Sequence, residues 1–182
     1  KSLETDCGLW SIAGLYYIEF SKINTGNLDT VPTLDELEFD SATRNWDNFY
    51  RVRATIIDGQ SAKFSIPENL KLMVGKEMEL SGAAVFFSPG CTAKGDKIAV
   101  HSFFLLPTLG LANACEHLPE IAMRWTIQIN IENDWIISRD DMIQTLVNVK
   151  GDFRIDTKKP YDAAFFIDHA AVQLIINEEE PN

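Results

Sequence analysis

Residues from 50 onward fall into short runs in which apolar side chains alternate with polar ones or follow one another directly. Runs of four to ten residues with this pattern, rich in Val, Ile, Phe and Trp, are typical of β-strands. The predicted strands cover residues 50–57, 62–66, 78–87, 98–106, 125–131, 147–155, 163–167 and 171–176. A short helix-compatible stretch, 140–146, separates two of them.

Turn-forming residues separate these strands. Asp58-Gly59 predicts a hairpin turn, and Ser88-Pro89-Gly90 and Lys94-Gly95-Asp96 predict two more. Gly82, inside a predicted strand, marks a bulge or a sharp bend. Short strands in this number, with at most a short helix among them, predict a mainly β fold, namely a small OB-like antiparallel barrel with one or two short helices.

The first 49 residues have a different pattern. Residues 9–23 form an apolar run that fits either a buried helix or a strand, because periodicity does not separate the two over so short a length. Thr33 and Glu36 have the spacing of a capping box, which predicts the start of a short helix. We therefore expect residues 1–49 to be an N-terminal extension packed on the barrel, and residues 50–182 to be the OB-like barrel domain.

The charge of the chain limits its partners. It has 27 acidic and 16 basic side chains, a formal net charge of -11. Nucleic acids and anionic membranes are bound by clustered Lys and Arg, so we expect neither as a partner. No apolar run approaches the roughly 18 to 20 residues that a membrane-spanning helix requires, and we expect no transmembrane segment.

The aromatic and histidine side chains support separate expectations. Trp125 is expected to pack inside the barrel, whereas Trp46 and Trp135 are interpreted as surface aromatics at a partner interface, where Trp is enriched. His101 lies in an apolar strand and is interpreted as a hydrogen-bonded core or edge histidine. His169 follows Asp168 in a predicted turn.

The three cysteines and one histidine carry the candidate chemistry. Cys91 and Cys115 both lie in turn-like segments and form a candidate disulfide pair. Cys115 and His117 are two positions apart, so in an extended segment their side chains point to the same side and can reach one transition-metal ion. Cys91 is a third candidate ligand, and the remaining candidates are His101, Glu116 and His169. Alternatively Cys115 is a small buried residue, or a nucleophile with His117 as its base.

The stretch that contains these residues resembles a known family. The segments 103–107 (FFLLP) and 114–119 (ACEHLP) are similar to the Ala-Cys-x-His-hydrophobic-Pro signature of small bacterial periplasmic proteins and lipoproteins, a domain of unknown function. Residues 75–82 and 149–154 resemble the strands that flank this signature. The family's run of prolines is reduced here to Pro119, and the loop before Cys115 is longer.

The resemblance implies an OB-like barrel, a periplasmic or cell-envelope location and no established activity, with a metal-transport role suspected for some members. A chain that begins with Lys1 and Ser2 rather than Met fits removal of a signal peptide, or a lipid anchor upstream of Lys1. We therefore predict an exported bacterial accessory or binding module, rather than an enzyme, whose partner is an unknown protein or small ligand. The alternatives are a metal-binding or metal-delivery protein using Cys115 and His117 and, third, a thiol-dependent enzyme.

Overall fold

Short strands connected by tight turns account for most of the computed structural model, which describes residues 46–57, 61–86, 90–107, 124–138, 146–158 and 163–175. Strands make up 65% of the described residues. The strands are β1 (Arg53–Ile56), β2 (Ala62–Ser65), β3 (Glu77–Val85), β4 (Cys91–Lys94), β5 (Lys97–Leu106), β6 (Ile127–Ser138), β7 (Leu146–Ile155) and β8 (Phe165–Leu174); the helices are α1 (Asp47–Tyr50) and α2 (Glu68–Lys71).

Five of these strands pair in a ring. Their order is β3-β7-β8-β6-β5, and the end of β3 pairs with the end of β5 to close the circle. β4 continues the sheet as a hairpin on β5, while β1 and β2 form a separate antiparallel pair. The mainly β, barrel-like fold expected from the sequence is therefore confirmed. One pairing among the described strands, β6 with β8, is parallel, which alternation of side chains does not reveal.

The ring closes where β3 changes partner. Ala83 is paired both with Leu146 of β7 and with Leu106 of β5. At the preceding Gly82, a Cβ atom would lie 3.2 Å from the carbonyl carbon of Leu106 and would also collide with its carbonyl oxygen. Only glycine allows a second backbone to approach this closely. Gly82, where a bulge or a sharp bend was predicted, therefore lies next to the point at which the ring closes, and its pairing with β7 remains in regular register.

The core begins before the predicted barrel boundary. Trp46 is fully buried, and its indole Nε1 donates a hydrogen bond of 2.7 Å to the carbonyl oxygen of Ser81. Phe49 is buried against Phe165, with ring centroids 5.5 Å apart. The prediction that Trp46 lies at a surface interface was wrong. Trp46 directly precedes α1, and Trp46, Phe49 and Tyr50 have the helical spacing that places all three side chains on one apolar side.

The other tryptophans are buried to different extents. Trp125 is buried and its ring packs edge-on against Tyr50, with centroids 5.5 Å apart, as expected for a barrel residue. Trp135 is partly buried, since its ring lies 5.9 Å from those of Phe86 and Phe103. It therefore belongs to the margin of the core rather than to an isolated surface patch.

The predicted strand boundaries differ from the observed ones at several places. β6 continues to Ser138, beyond the predicted end at residue 131, and β4 was not predicted as a strand. The strand predicted from residue 50 begins at Arg53, because α1 occupies the positions before it. The two strands predicted at 163–167 and 171–176 are one strand, β8, which runs without a turn through Asp168 and His169.

The short helix predicted from Thr33 and the apolar run 9–23 lie outside the described residues. The helix-compatible stretch 140–146 also lies outside them except for Leu146, which is the first residue of β7.

Candidate functional site

A β-bulge in β8 shapes the outer face of the barrel. Lys150 of β7 is paired with Ala171, and Asp152 with Asp168, so a single residue of β7 faces two residues of β8. The β7 residue is Gly151, whose hypothetical Cβ would lie 2.6 Å from the carbonyl oxygen of Asp168. On β8, His169 has a φ of 50°, a left-handed conformation that His adopts more readily than most residues.

The bulge places two consecutive polar side chains outside the barrel. Asp168 is half-buried and reaches toward β6 and its neighbour on β7, whereas His169 is exposed. His169 Nδ1 lies 3.1 Å from Oδ2 of Asp152. Regular alternation would have buried one of the two side chains, so the bulge makes room for an outward carboxylate beside an outward imidazole.

Asp168 holds Arg154 by two hydrogen bonds. Arg154 Nε donates to Oδ2 at 2.6 Å, and Nη2 donates to Oδ1 at 3.3 Å. Asn130 Nδ2 also donates to Oδ1, at 2.7 Å. This planar, two-point contact between guanidinium and carboxylate fixes the orientation of the arginine as well as its position.

A row of side chains crosses three strands beside this ion pair. Gln128 of β6 is in register with Phe166 of β8, and Phe166 with Arg154 of β7. The guanidinium carbon of Arg154 lies 4.0 Å from the centroid of the Phe166 ring. Gln128 Nε2 donates a hydrogen bond of 3.0 Å to Oδ1 of Asn130. We refer to Gln128, Asn130, Arg154, Phe166 and Asp168 together as the β6–β8–β7 face.

The ion pair on this face is stable as a charged pair. Burial alone would raise the pKa of Asp168, but the hydrogen bonds from Arg154 and Asn130 outweigh it and lower that pKa below its usual value. The hydrogen bond to Asp168 raises the pKa of Arg154. The side chains of Arg154 and Asp168 are 43% and 23% exposed, so the face is accessible while its charges cancel.

A second hydrogen-bonded cluster of side chains lies on β4, β5 and β6. His101 Nε2 lies 2.9 Å from Thr92 Oγ1, and His101 Nδ1 lies 2.7 Å from Oδ1 of Asp134. A carboxylate only accepts hydrogen bonds, so Nδ1 of the neutral ring carries the proton, and Nε2 accepts from the Thr92 hydroxyl. The backbone N–H groups of His101 and Ser102 both donate to the carbonyl oxygen of Gly90, which fixes the backbone at the point where the pairing of β5 with β6 shifts register.

The sequence interpretation of His101 as a hydrogen-bonded strand histidine is confirmed by this geometry. A hydroxyl, an imidazole and a carboxylate in this order resemble a nucleophile with an oriented base. They also link β4, β5 and β6 through side chains, which is a structural role. We interpret the cluster as this cross-strand link.

A second histidine, His169, was predicted to lie in a turn. This prediction was wrong, since His169 lies within β8.

The cysteine site predicted from the sequence is only partly described. Cys91 is fully buried on β4 and is disulfide-bonded. Cys115, Glu116 and His117 lie outside the described residues, as does Cys7. A sulfur in a disulfide carries no thiolate, so Cys91 in this state is not a metal ligand. Within the described ranges there is no group of three or more His, Cys, Asp or Glu side chains that could hold a metal ion.

The β6–β8–β7 face was missed by sequence reasoning. Gln128 and Asn130 are two of the three polar positions of the alternating segment 125–131, and an outward-facing role for them follows from that pattern. Their partners do not, because the parallel pairing of β6 with β8 brings Asn130 next to a residue 38 positions later. Predicting the face would have required knowing which strands are adjacent in the sheet.

Comparisons of the chain with protein-family models, with curated proteins and with solved structures found no match. Among the described residues, no helix is long and apolar enough to cross a membrane.

Proposed function

We propose that the protein is an exported binding module that holds a small ligand on the β6–β8–β7 face. The observation that carries this proposal is the fixed position of Arg154, which stacks on Phe166 at 4.0 Å and is held by Asp168 at two points. A side chain that is ordered before binding loses little conformational freedom when a ligand arrives.

The face retains hydrogen-bonding capacity after its internal contacts are made. Asp168 engages Nε and Nη2 of Arg154, and the described residues supply no partner for Nη1. Gln128 uses its amide nitrogen to contact Asn130, which leaves its Oε1 without a hydrogen bond to any described residue. The face therefore offers oriented donors and an oriented acceptor at neighbouring positions.

Two observations support an extracytoplasmic location. Cys91 is disulfide-bonded, and disulfides persist mainly in oxidising compartments such as the periplasm. The segment around Cys115 resembles the signature of a periplasmic and lipoprotein family. We propose that Cys115 is the partner of Cys91, which would attach the signature segment to β4.

The binding proposal is tested by mapping ligand contacts on the isotope-labelled full chain. Titration with a fragment set of neutral polyols, carboxylates and amines should shift the side-chain amide signals of Gln128 and Asn130 and the Nε–H signal of Arg154. Arg154→Lys should abolish these shifts, since an ammonium group cannot reproduce the two-point contact.

Lys150→Gln is the matched control for this experiment. Lys150 lies on the same strand, with its Nζ 3.0 Å from Oε1 of Glu77, and belongs to no contact of the face. It should leave binding unchanged. If no fragment perturbs the face at millimolar concentration, or if perturbations occur only elsewhere, the proposed function is wrong.

A further inference from the structure

We infer that the ligand of the β6–β8–β7 face is a neutral saccharide of about two sugar units. The inference rests on the proposed function and adds the chemical class of the ligand. Three properties of the face lead to it, namely its charge balance, the kind of hydrogen-bonding groups it presents and its dimensions.

The charge balance disfavours ionic ligands. Arg154 is the cation of the face, and its charge is compensated by Asp168 at 2.6 Å. Asp152 is in register with Asp168, and Asp156 is close enough to Arg154 to raise its pKa further. With a net charge of -11 on the whole chain, an anionic ligand meets an unfavourable field on approach.

The net charge of the chain attracts a cationic ligand, but the contacts at the face itself disfavour one. The carboxylate of Asp168 already accepts hydrogen bonds from Arg154 and Asn130. A ligand ammonium group competing for it would lie beside the guanidinium group and be repelled. A neutral ligand avoids both penalties and leaves the internal ion pair intact.

Hydroxyl groups match the remaining polar atoms. Arg154 offers N–H donors at Nη1, and Gln128 offers an acceptor at Oε1 because its amide nitrogen is engaged with Asn130. A hydroxyl group is both donor and acceptor. A ligand with adjacent hydroxyls can therefore accept from Arg154 at one position and donate to Gln128 at another, which a ligand with donors alone or acceptors alone cannot do.

The spacing of the strands sets the length of the ligand. Gln128, Phe166 and Arg154 are register neighbours on three adjacent strands. Two strand spacings span about 10 Å between the outer backbones, and the Arg154 guanidinium lies over Phe166, the middle residue, so the face accommodates at most about two sugar rings. Arg154 stacked on Phe166 forms a planar, weakly hydrated platform against which the C–H side of a sugar ring can pack.

The test compares disaccharides that differ in charge. Calorimetric titration of the full chain uses cellobiose, maltose and N,N′-diacetylchitobiose as neutral probes, digalacturonate as an anionic probe and the glucosamine disaccharide as a cationic probe. At least one neutral probe should bind about tenfold more tightly than both charged probes, a difference of about 1.4 kcal/mol. Its affinity should change little with added salt, since no net charge is neutralised.

Two variants test whether the disaccharide binds at the β6–β8–β7 face. Gln128→Ala should weaken the neutral probe about fivefold, the loss expected for one hydrogen bond, with an unchanged denaturation midpoint because Gln128 is half-exposed. Lys150→Gln should bind as the wild type does.

The outcomes separate the two proposals. If a charged disaccharide or a non-sugar fragment binds at the face and depends on Arg154, the saccharide inference is wrong while the binding function stands. If no probe or fragment perturbs the face, both fail. If a neutral disaccharide binds with an affinity unaffected by Gln128→Ala and Arg154→Lys, its site lies elsewhere and the inference is overturned.

Discussion

Gly151 lies directly against the backbone of Asp168, so that a Cβ at position 151 would come 2.6 Å from the Asp168 carbonyl oxygen and 3.0 Å from the Cα of Ala170. Both obstacles are backbone atoms and cannot rotate away. We therefore predict that Gly151→Ala destabilises the protein by about 1–3 kcal/mol, the usual cost of overpacking. Urea denaturation measures the change, and amide spectra should show displacement at Asp168.

The glycine at position 95 supplies the control for this substitution. Gly95 lies in the β4–β5 turn with a φ of 67°, and nothing lies within 4 Å of its hypothetical Cβ. Gly95→Asn should therefore cost only a few tenths of a kcal/mol, since Asn tolerates the left-handed region. Equal losses for the two variants would contradict a steric role for Gly151.

Acid should weaken the fold through Asp168. Its pKa is lowered in the folded state, so its contribution to stability is fully present above the unfolded value of about 3.9 and is lost as the pH falls through the folded value. The difference in unfolding free energy between wild type and Asp168→Asn should be constant from about pH 5 to 7 and shrink below about pH 4. Denaturation series at each pH measure it.

The same substitution in an Arg154→Met background tests the cause. Without the guanidinium group, the carboxylate loses its main favourable partner, so the acid dependence of the Asp168→Asn difference should be much reduced. An unchanged acid dependence would show that Arg154 is not responsible for the lowered pKa.

Trp46 should be among the more costly residues to truncate. It is fully buried, and its Nε1 bonds the carbonyl oxygen of Ser81 at 2.7 Å, next to the glycine where the ring closes. Trp46→Ala should lower the unfolding free energy by about 3–5 kcal/mol. Leu72→Ala, at a position 60% exposed, should change it by less than about 0.5 kcal/mol. A small effect at position 46 would mean that this segment is not part of the cooperative core.

We also predict which ring nitrogen of His101 carries the proton. Nitrogen-detected spectra, recorded where the ring is neutral, should show the proton on Nδ1 and an accepting Nε2, because Asp134 and Thr92 flank them at 2.7 and 2.9 Å. Asp134→Asn should weaken this preference, and Thr92→Val should retain it. A proton on Nε2 in the wild type would contradict the cross-strand link as described.

The disulfide of Cys91 leads to a thiol-counting experiment. If Cys115 is its partner, the denatured, non-reduced chain has one reactive thiol, and that thiol disappears in Cys7→Ser. Cys115→Ser should lower stability by about 3 kcal/mol, the loss expected for a loop of this order. A Cys7→Ser variant with two reactive thiols would instead show that Cys91 pairs with Cys7.

The sequence pattern located most of the strands but not their neighbours. The ends of β5 and β7 agree with the predicted ranges to within one residue. The start of β6 was located, but its second half, up to Ser138, was not predicted, and neither was β4. The pattern failed at Trp46, where a helical spacing of aromatics merges into a strand pattern. It also failed at Asp168 and His169, where consecutive polar residues indicated a turn and the structure contains a bulge within one strand.

The candidate site was harder to predict than the fold. Its members come from three strands, and their association depends on which strands are adjacent, a property that is not encoded in any local run of residues. Asn130 and Asp168 are hydrogen-bonded through a parallel pairing across the ring. Local chemistry instead drew attention to Cys115 and His117, which are close in sequence.

Closure of the ring through β3 has a consequence for how the chain folds. Ser81 Oγ donates a hydrogen bond to Oδ1 of Asn148, 67 positions later, so the ring is closed between strands that are far apart in the chain. Pairings between such distant segments form slowly, and both edges of an open sheet remain available to other chains meanwhile. We therefore expect refolding of the denatured chain to be slow, limited by the pairing of β3 with β7, and to lose yield as the chain concentration rises.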